Sequence, residues 1–297
     1  MIHLHDKKIQ FLEEKANQIR ISIIKSLLAA GSGHSAGSLD MADIFTALYF
    51  HILNHNPKKP DWPERDRVIL SNGHIVPVWY ATLAHAGYFP IAELKTLRKI
   101  NSRLQGHPHR GSLPGIENTS GPLGSGLSQA VGMVLASNLD KKRFRVYCLG
   151  SDGEMQEGNF WEGAMIAGKY GTAMNRLTLI IDRNNIQIDG FTENVVPLEP
   201  MKEKFLSFRW HVLEVDGHNI EAFIDAVSEA KAVFEKPTVI IAHTIPGKGV
   251  EFMEGDYRWH GNPPGKGPAD IVPRSKQGEE AIRELRTLGG RIKSEHE

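Results

Sequence analysis

One cysteine, Cys148, is all that the 297 residues contain, so no intrachain disulfide can staple the fold. It sits in the apolar run 144–149, where a buried, inert thiol is expected rather than a nucleophile. Long apolar runs are missing too. The best early candidate, 21–30, is broken by Lys25, well short of the ~18 apolar residues of a membrane-spanning helix. The first twenty residues carry Asp6, Lys7, Lys8, Glu13, Glu14 and Lys15 and no small-residue cleavage pattern. No secretory leader and no membrane partner are therefore expected, and the location is read as cytoplasmic. An excess of one charge is also absent. The 35 Lys+Arg balance 35 Asp+Glu, which removes bulk attraction to nucleic acid, so none is expected as a partner. Lys248 lies between Gly247 and Gly249 without a Walker pattern, and no G-x-G-x-x-G follows a strand. Ordinary nucleotide binding and a nicotinamide oxidoreductase are disfavoured on that ground.

What the chain does have is alternation. A helix is predicted over 9–28, stopped by Gly31-Ser32-Gly33, and a second, capped by Ser38 or Asp40, through Leu53. A short strand at 67–70 precedes a helix near 77–86 and another beginning around Pro90. The glycine-rich stretch Gly121-Pro122-Leu123-Gly124-Ser125-Gly126 leads into a small-residue helix ending near Leu139. Strands are then predicted at 144–149, 177–181, 211–215 and 238–243, with helices at 159–169, 201–208 and 220–234 between them. Short, nearly all-apolar strands separated by helices indicate an α/β fold, a parallel sheet flanked by helices on both faces. Segment 245–272 is too rich in glycine and proline for a regular element and reads as a functional loop or linker. The chain divides into a domain over 1–270 and a C-terminal helix with a polar tail over 271–297, the helix lying near 279–288.

Ligands of open parallel sheets sit beyond the carboxyl ends of the strands. Two of those ends are informative. One reads Gly150-Ser151-Asp152-Gly153-Glu154-Met155-Gln156-Glu157-Gly158, the other Asp182-Arg183-Asn184-Asn185-Ile186-Gln187-Ile188-Asp189-Gly190. Neither has the thiolates or histidines of a zinc site. Both offer hard oxygen ligands that suit Mg²⁺ or Ca²⁺, and Gly153 before a helix N-terminus would admit a diphosphate. Each loop alone is equally an ordinary strand-to-helix turn rich in Asp, Asn and Gly. His51 and His55 have helical i,i+4 spacing but lack the glutamate of a zinc-protease motif.

Taken together, Ser151-Asp152-Gly153 and Asn184-Asn185, separated by residues 154–183, resemble the metal and diphosphate signature of thiamine diphosphate enzymes. The resemblance narrows along the chain. Gly33-His34-Ser35-Ala36-Gly37, Leu70-Ser71-Asn72-Gly73-His74, Gly106-His107-Pro108, the Gly121–Gly126 stretch, Ile188-Asp189-Gly190 and Trp259-His260-Gly261 resemble successive motifs of transketolases. Complete transketolases are much longer, and the match covers their N-terminal portion. The chain thus resembles the N-terminal subunit of a split transketolase, with the thiamine diphosphate-binding fold that this implies.

The resemblance implies a role for each matching residue. Asp152, the Asn184 side-chain oxygen and the Ile186 carbonyl would hold the metal. Gly153, His74 and His260 would meet the diphosphate, Gly121 and Leu123 the aminopyrimidine, and Ile188 the underside of the thiazolium. His34, His107 and His260 would face the sugar, as histidine can donate, accept or move a proton near neutral pH. Glu157 matches a glutamate of a network across the subunit contact. Two positions depart from the family pattern: Ser151 replaces a glycine, and Ile75-Val76-Pro77 follows His74 where a small pair is usual. The implied activity is transfer of a two-carbon ketol unit from a ketose phosphate to an aldose or its phosphate, through an adduct on thiamine diphosphate. The acid that activates the cofactor would come from a separate C-terminal transketolase subunit, in an α₂β₂ assembly. The alternatives are the α-type subunit of a two-oxoacid dehydrogenase-like enzyme, which shares the metal motif, and a non-catalytic, cofactor-binding regulatory subunit.

Overall fold

The computed structural model describes residues 6–287. Helix α1 (Asp6–Ala30) leads into α2 (Ala36–Asp40) and α3 (Ala42–Ala47). Strand β1 (Arg67–Leu70) is followed by α4 (Val76–His85) and, after a long loop, α5 (Ser125–Leu139). Next come β2 (Val146–Ser151), α6 (Gly158–Tyr170) and β3 (Leu177–Arg183). A small antiparallel ladder of β4 (Ile186–Gln187) and β5 (Gly190–Phe191) leads to α7 (Thr192–Val195) and α8 (Met201–Ser207). The remainder is β6 (His211–Asp216), α9 (Ile220–Ala232), β7 (Thr238–His243) and α10 (Gln277–Thr287). The main sheet has the order β1-β2-β3-β7-β6 and every pairing in it is parallel.

Side-chain alternation along the strands makes two cores. Val68, Leu70, Tyr147, Leu149, Ile180, Ile240 and Ala242 point to one face and pack with α1, α3, α4 and α9. Ile69, Val146, Cys148, Leu177, Leu179, Ile181, Val239 and Ile241 point to the other, against α5, α6 and α8. The sheet is thereby covered on both faces, as its nearly continuous apolar strands require. Cys148 is fully buried, and burial pushes its thiol well above the ordinary value.

Several elements differ from their sequence-based expectation. The long second helix is instead α2, α3 and a π-turn at Leu48–Ile52, because Asp40 is no cap. It ends α2 fully buried, accepting a hydrogen bond from Asn184 Nδ2 at 3.1 Å. The helix expected after Pro90 is a 3₁₀ turn, Ile91–Thr96. Strand β2 starts two residues late and runs through Ser151, which pairs with Asp182. Strand β3 likewise extends to Arg183, held there by β7. Segment 245–272 is a packed strap rather than a linker, with Val250, Met253 and Trp259 buried in the first core. Helix α10 packs there as well: Ala281 and Leu285 are fully buried, and the Leu285 carbonyl accepts from Asn17 Nδ2 at 2.8 Å. Residues 288–297, the end of the expected tail, lie outside the described residues.

A buried ionic cluster ties these parts together. Arg20 of α1 donates to both oxygens of Asp43 in α3, Nη1 at 3.0 Å and Nη2 at 2.5 Å. His218, after β6, meets Asp43 Oδ2 through Nδ1 at 2.9 Å, while its Nε2 accepts from the Ile245 N–H at 2.9 Å. The tautomer is therefore fixed, with the proton on Nδ1. Burial raises the Asp43 pKa, but Arg20 and His218 more than offset it, and the net shift is downward. Asp43→Ala leaves two buried donors without an acceptor and is expected to cost about 3–5 kcal/mol in urea unfolding. A folded pKa below the unfolded one means that Asp43 stabilises fully above the usual carboxylate range. This contribution fades as pH falls through the lowered value, so the wild-type advantage over the variant should shrink in acid.

Candidate active site

The carboxyl ends of β1, β2 and β3 open into one cleft of about 440 Å³. Each wall comes from a different connection. The α1–α2 turn supplies His34, the segment after β1 His74, and the long loop before α5 His107, Gly121 and Leu123. Ser151, Gly153, Glu154, Gln156 and Glu157 follow from the end of β2, and Gln187, Ile188 and Asp189 from the β4–β5 turn. The strap reaches over to add His260. Every residue that the motifs placed against diphosphate, pyrimidine, thiazolium or sugar lines this space. The three expected metal ligands are not among the lining residues: Asp152 directly follows β2, Asn184 directly follows β3, and Ile186 opens β4.

The glycine-rich loop is drawn in by a backbone contact. A methyl group on Gly126 would stand 2.6 Å from Ser71 Cα, so only glycine lets α5 begin there. Gly126 N–H then donates to Ser71 Oγ at 3.0 Å, and Ser71 Oγ donates to Glu154 Oε2 at 2.8 Å. Glu154 also accepts from the N–H groups of Gly124 at 2.8 Å and Ser151 at 3.1 Å. One buried carboxyl thereby joins the ends of β1 and β2 to the glycine-rich loop. Burial lifts its pKa to about 7, against the pull of those hydrogen bonds. Its sequence signal was slight, an acid directly after Gly153.

Asp152 is fully buried at the end of β2. Its Oδ1 accepts from Gly153 N–H at 2.7 Å. Oδ2 accepts from Asn185 N–H at 2.7 Å and Arg183 Nη1 at 3.1 Å. Burial raises this carboxyl to about 6, with Arg183 the chief opposing influence. Asn185 takes a left-handed φ of 66°, which asparagine tolerates, and so places Asn184 and Ile186 on either side of that contact. Asn184 Nδ2 is committed to Asp40 and Asp182, at 3.1 and 3.0 Å. Its side-chain oxygen accepts from Ile186 N–H at 3.1 Å. Arg183 was not singled out from the sequence. Besides Asp152 it bonds Thr192, Glu193 and Glu199, so that it anchors the segment after β5.

The histidines form a cluster. Ring centroids of His34 and His74 are 4.7 Å apart, His74 and His260 5.0 Å, and His34 and His260 5.7 Å. Burial, followed by the neighbouring His260, Arg98 and His107, lowers His34 to about 3. Burial alone brings His260 to about 4, and burial and then His260, His34 and His107 put His74 well below its usual value. These imidazoles are uncharged at neutral pH. Nδ1 of both His34 and His260 is buried without a hydrogen-bond partner. Beside Gly121 there is open space, with nothing within 4 Å of an added methyl. The histidine lining, the open space at Gly121 and the hard oxygen atoms of the loops after β2 and β3 fit a diphosphate-bearing cofactor with its cation. His74 lines the cleft despite Ile75-Val76-Pro77, because Pro77 falls in the first turn of α4, where its missing N–H costs nothing. His55, by contrast, is spent on packing, bonded to Tyr88 and Tyr49.

A histidine-lined cleft at the strand ends of a helix-covered parallel sheet marks the candidate active site of an α/β enzyme domain. Residues 12–279 match the family described as transketolase, thiamine diphosphate binding domain, and the chain belongs to that family. A 6-deoxy-6-sulfo-D-fructose transketolase subunit of Clostridium sp. is 43% identical over 249 residues, 84% of this chain and 90% of the relative. An apulose-4-phosphate transketolase subunit of Phocaeicola vulgatus is 38% identical over 278 residues, 94% of this chain and 95% of the relative. The crystal structure of transketolase from Campylobacter jejuni superposes with a TM-score of 0.80 at 34% identity. That alignment takes in 95% of this chain and 47% of the transketolase, so the chain spans less than half of the single-chain protein.

Histidines held neutral by burial make stability depend on pH. For His260, with a folded pKa of about 4 against 6.5, the unfolded chain binds the extra proton between those values. Stability therefore rises with pH across that window and is lost as pH falls through it. His260→Gln is expected to flatten the dependence by on the order of 3 kcal/mol, read from urea unfolding at pH 4.5 and 7. Equal slopes for variant and wild type would contradict the assignment.

Proposed function

We propose that this chain is the thiamine diphosphate-binding subunit of a two-component transketolase. It transfers a two-carbon ketol unit from a ketose phosphate to an aldose or its phosphate, in the cytoplasm, with a separate C-terminal subunit in an α₂β₂ assembly. The observation that carries this reading is the cleft itself, where His34, His74, His107 and His260 line one space together with Gly121, Leu123, Gly153 and Ile188. No helix among the described residues is long and apolar enough to cross a membrane.

When bound, thiamine diphosphate would supply a nucleophilic carbon and an electron sink for carbanion chemistry. The residues of this chain have separate duties toward it. Asp152, Asn184 Oδ1 and the Ile186 carbonyl hold a hard divalent cation, Mg²⁺ or Ca²⁺. Gly153, His74 and His260 meet the diphosphate, and Gly121 and Leu123 the aminopyrimidine. Ile188, 64% exposed at the β4–β5 turn, is free to support the ring. His34, His107 and His260 face the sugar. As neutral rings they can donate from one nitrogen and accept at the other, which suits them to orient hydroxyls and move a proton. Glu157 lies at the open side of the cleft and serves the subunit contact. Gln156, which also lines the cleft, donates to the carbonyls of Thr192 and Val196. That bond ties the exposed apolar residues Phe191, Val195 and Val196 to the margin of the site, where a partner would complete it. The whole-length match to relatives named as subunits supports the need for that partner.

The test is ketol transfer from xylulose 5-phosphate to ribose 5-phosphate, with thiamine diphosphate and Mg²⁺, by this chain alone and with its companion subunit. Activity is expected only in the mixture. Transfer by the single chain would refute the partner requirement. Silence of the mixture with pentose phosphates, branched sugar phosphates and sulfosugars alike would refute the activity. In titration calorimetry, Asp152→Ala is expected to weaken Mg²⁺-dependent cofactor binding about 100-fold or more, at least the loss seen for outer partners of metal ligands.

A further inference from the structure

The histidine wall contains a cation that none of these duties uses. Arg98 lies just beyond the 3₁₀ turn Ile91–Thr96 with a left-handed φ of 58°, an uncommon conformation for a non-glycine residue. Its N–H donates to the Leu104 carbonyl at 2.8 Å, which folds the chain back on itself. The guanidinium then packs against Gly106: a methyl group there would stand 2.9 Å from Arg98 Nε and 3.1 Å from Nη2. A methyl on Gly33 would meet Leu27 Cδ2 first, at 2.6 Å, and lie 3.8 Å from Arg98 Nε. Gly33 directly precedes His34, and Gly106 directly precedes His107. One planar group therefore packs on the backbone in front of His107 and lies near the turn in front of His34. Among the described residues no carboxylate bonds the guanidinium, and burial lowers the Arg98 pKa.

We propose that Arg98 is a positioning residue for the sugar-facing wall, its guanidinium wedged against the Gly106 backbone beside the Gly33 turn to set the spacing of His34 and His107. The assignment of those two rings to the sugar rests on the function proposed above. The wedge has an electrostatic side as well. Burial and then Arg98 lower the His107 pKa, and Arg98 is among the groups that lower His34. The other titratable groups facing these rings are His74 and His260, with Glu154, Glu157 and Asp189 on the opposite walls. Arginine suits the task because its fork is rigid and charged at any working pH, whereas lysine would keep the charge and lose the plane.

The test follows the His107 ring by NMR titration in the full-length chain, which requires neither cofactor nor partner. Arg98→Met is expected to move His107 to higher pH, since a neighbouring positive charge disfavours the imidazolium. Arg98→Lys should leave it near the wild-type value. Gly106→Ala retains the charge but pushes the flexible end of the guanidinium aside, and is expected to move His107 upward as well. In the reconstituted enzyme, the pH profile of kcat/KM should shift upward with Arg98→Met and return with Arg98→Lys, while the KM for the sugar stays raised in both variants because neither has the planar fork. An unmoved His107 in folded Arg98→Met overturns the proposal. If that variant does not fold, an unmoved His107 in Gly106→Ala does so. A silent reconstituted enzyme with the expected titration shifts would instead count against the ketol-transfer reading and leave the wedge standing.

Discussion

Four carboxyl groups, Asp40, Asp152, Glu154 and Asp182, are withdrawn from water at the carboxyl ends of the central strands, and the surrounding loops take the shapes that satisfy them. A buried carboxyl without partners is untenable, so each one recruits donors from a different part of the chain. Glu154 gathers Ser71, Gly124 and Ser151. Asp152 gathers Gly153, Arg183 and Asn185. Asp182 takes Thr244 Oγ1 at 2.5 Å and shares the Asn184 amide with Asp40. The bonds Ser71–Glu154, Arg183–Asp152, Thr244–Asp182 and Asn184–Asp40 cross between elements and fix the strand ends relative to the loops around the cleft.

Burial also divides the electrostatic labour. The deep histidines are kept uncharged, so they can hydrogen-bond a dianionic group without neutralising it. On the proposed reading, neutralisation falls to the metal at Asp152 and Asn184. The N-terminus of α6, which starts at Gly158 just beyond the loop, adds its dipole. Keeping the histidines neutral preserves both a donor and an acceptor on each ring, which a cationic ring would not have.

Much of this was legible in the amino-acid order, because strand alternation and strand-end loops are local signals. The five sheet strands, their covering helices and the loops after β2 and β3 follow from apolar periodicity and from Asp, Asn and Gly at strand ends. The motif residues expected to meet cofactor or sugar line one cleft, and the expected metal ligands fall in the loops just after β2 and β3. What escaped depends on contacts between distant segments. Asp40 looked like a helix cap until Asn184, 144 positions away, claimed its carboxylate. Arg183 looked like a loop residue, but β7 extends the ladder to include it. The strap through 245–272 has no periodicity to read, and only its buried Val250, Met253 and Trp259 reveal that it belongs to the core. Arg98 carries no local pattern, since its place is defined by Gly106 and by the separate turn at Gly33.

The lone thiol has a practical corollary. Cys148 is sealed within the second core, inert by burial, so the native chain presents no reactive sulfur among its described residues. A cysteine introduced at an exposed position such as Ile188 would be the single site open to a maleimide dye or spin label. The rim of the cleft can thus carry a spectroscopic reporter without first stripping the protein of competing thiols.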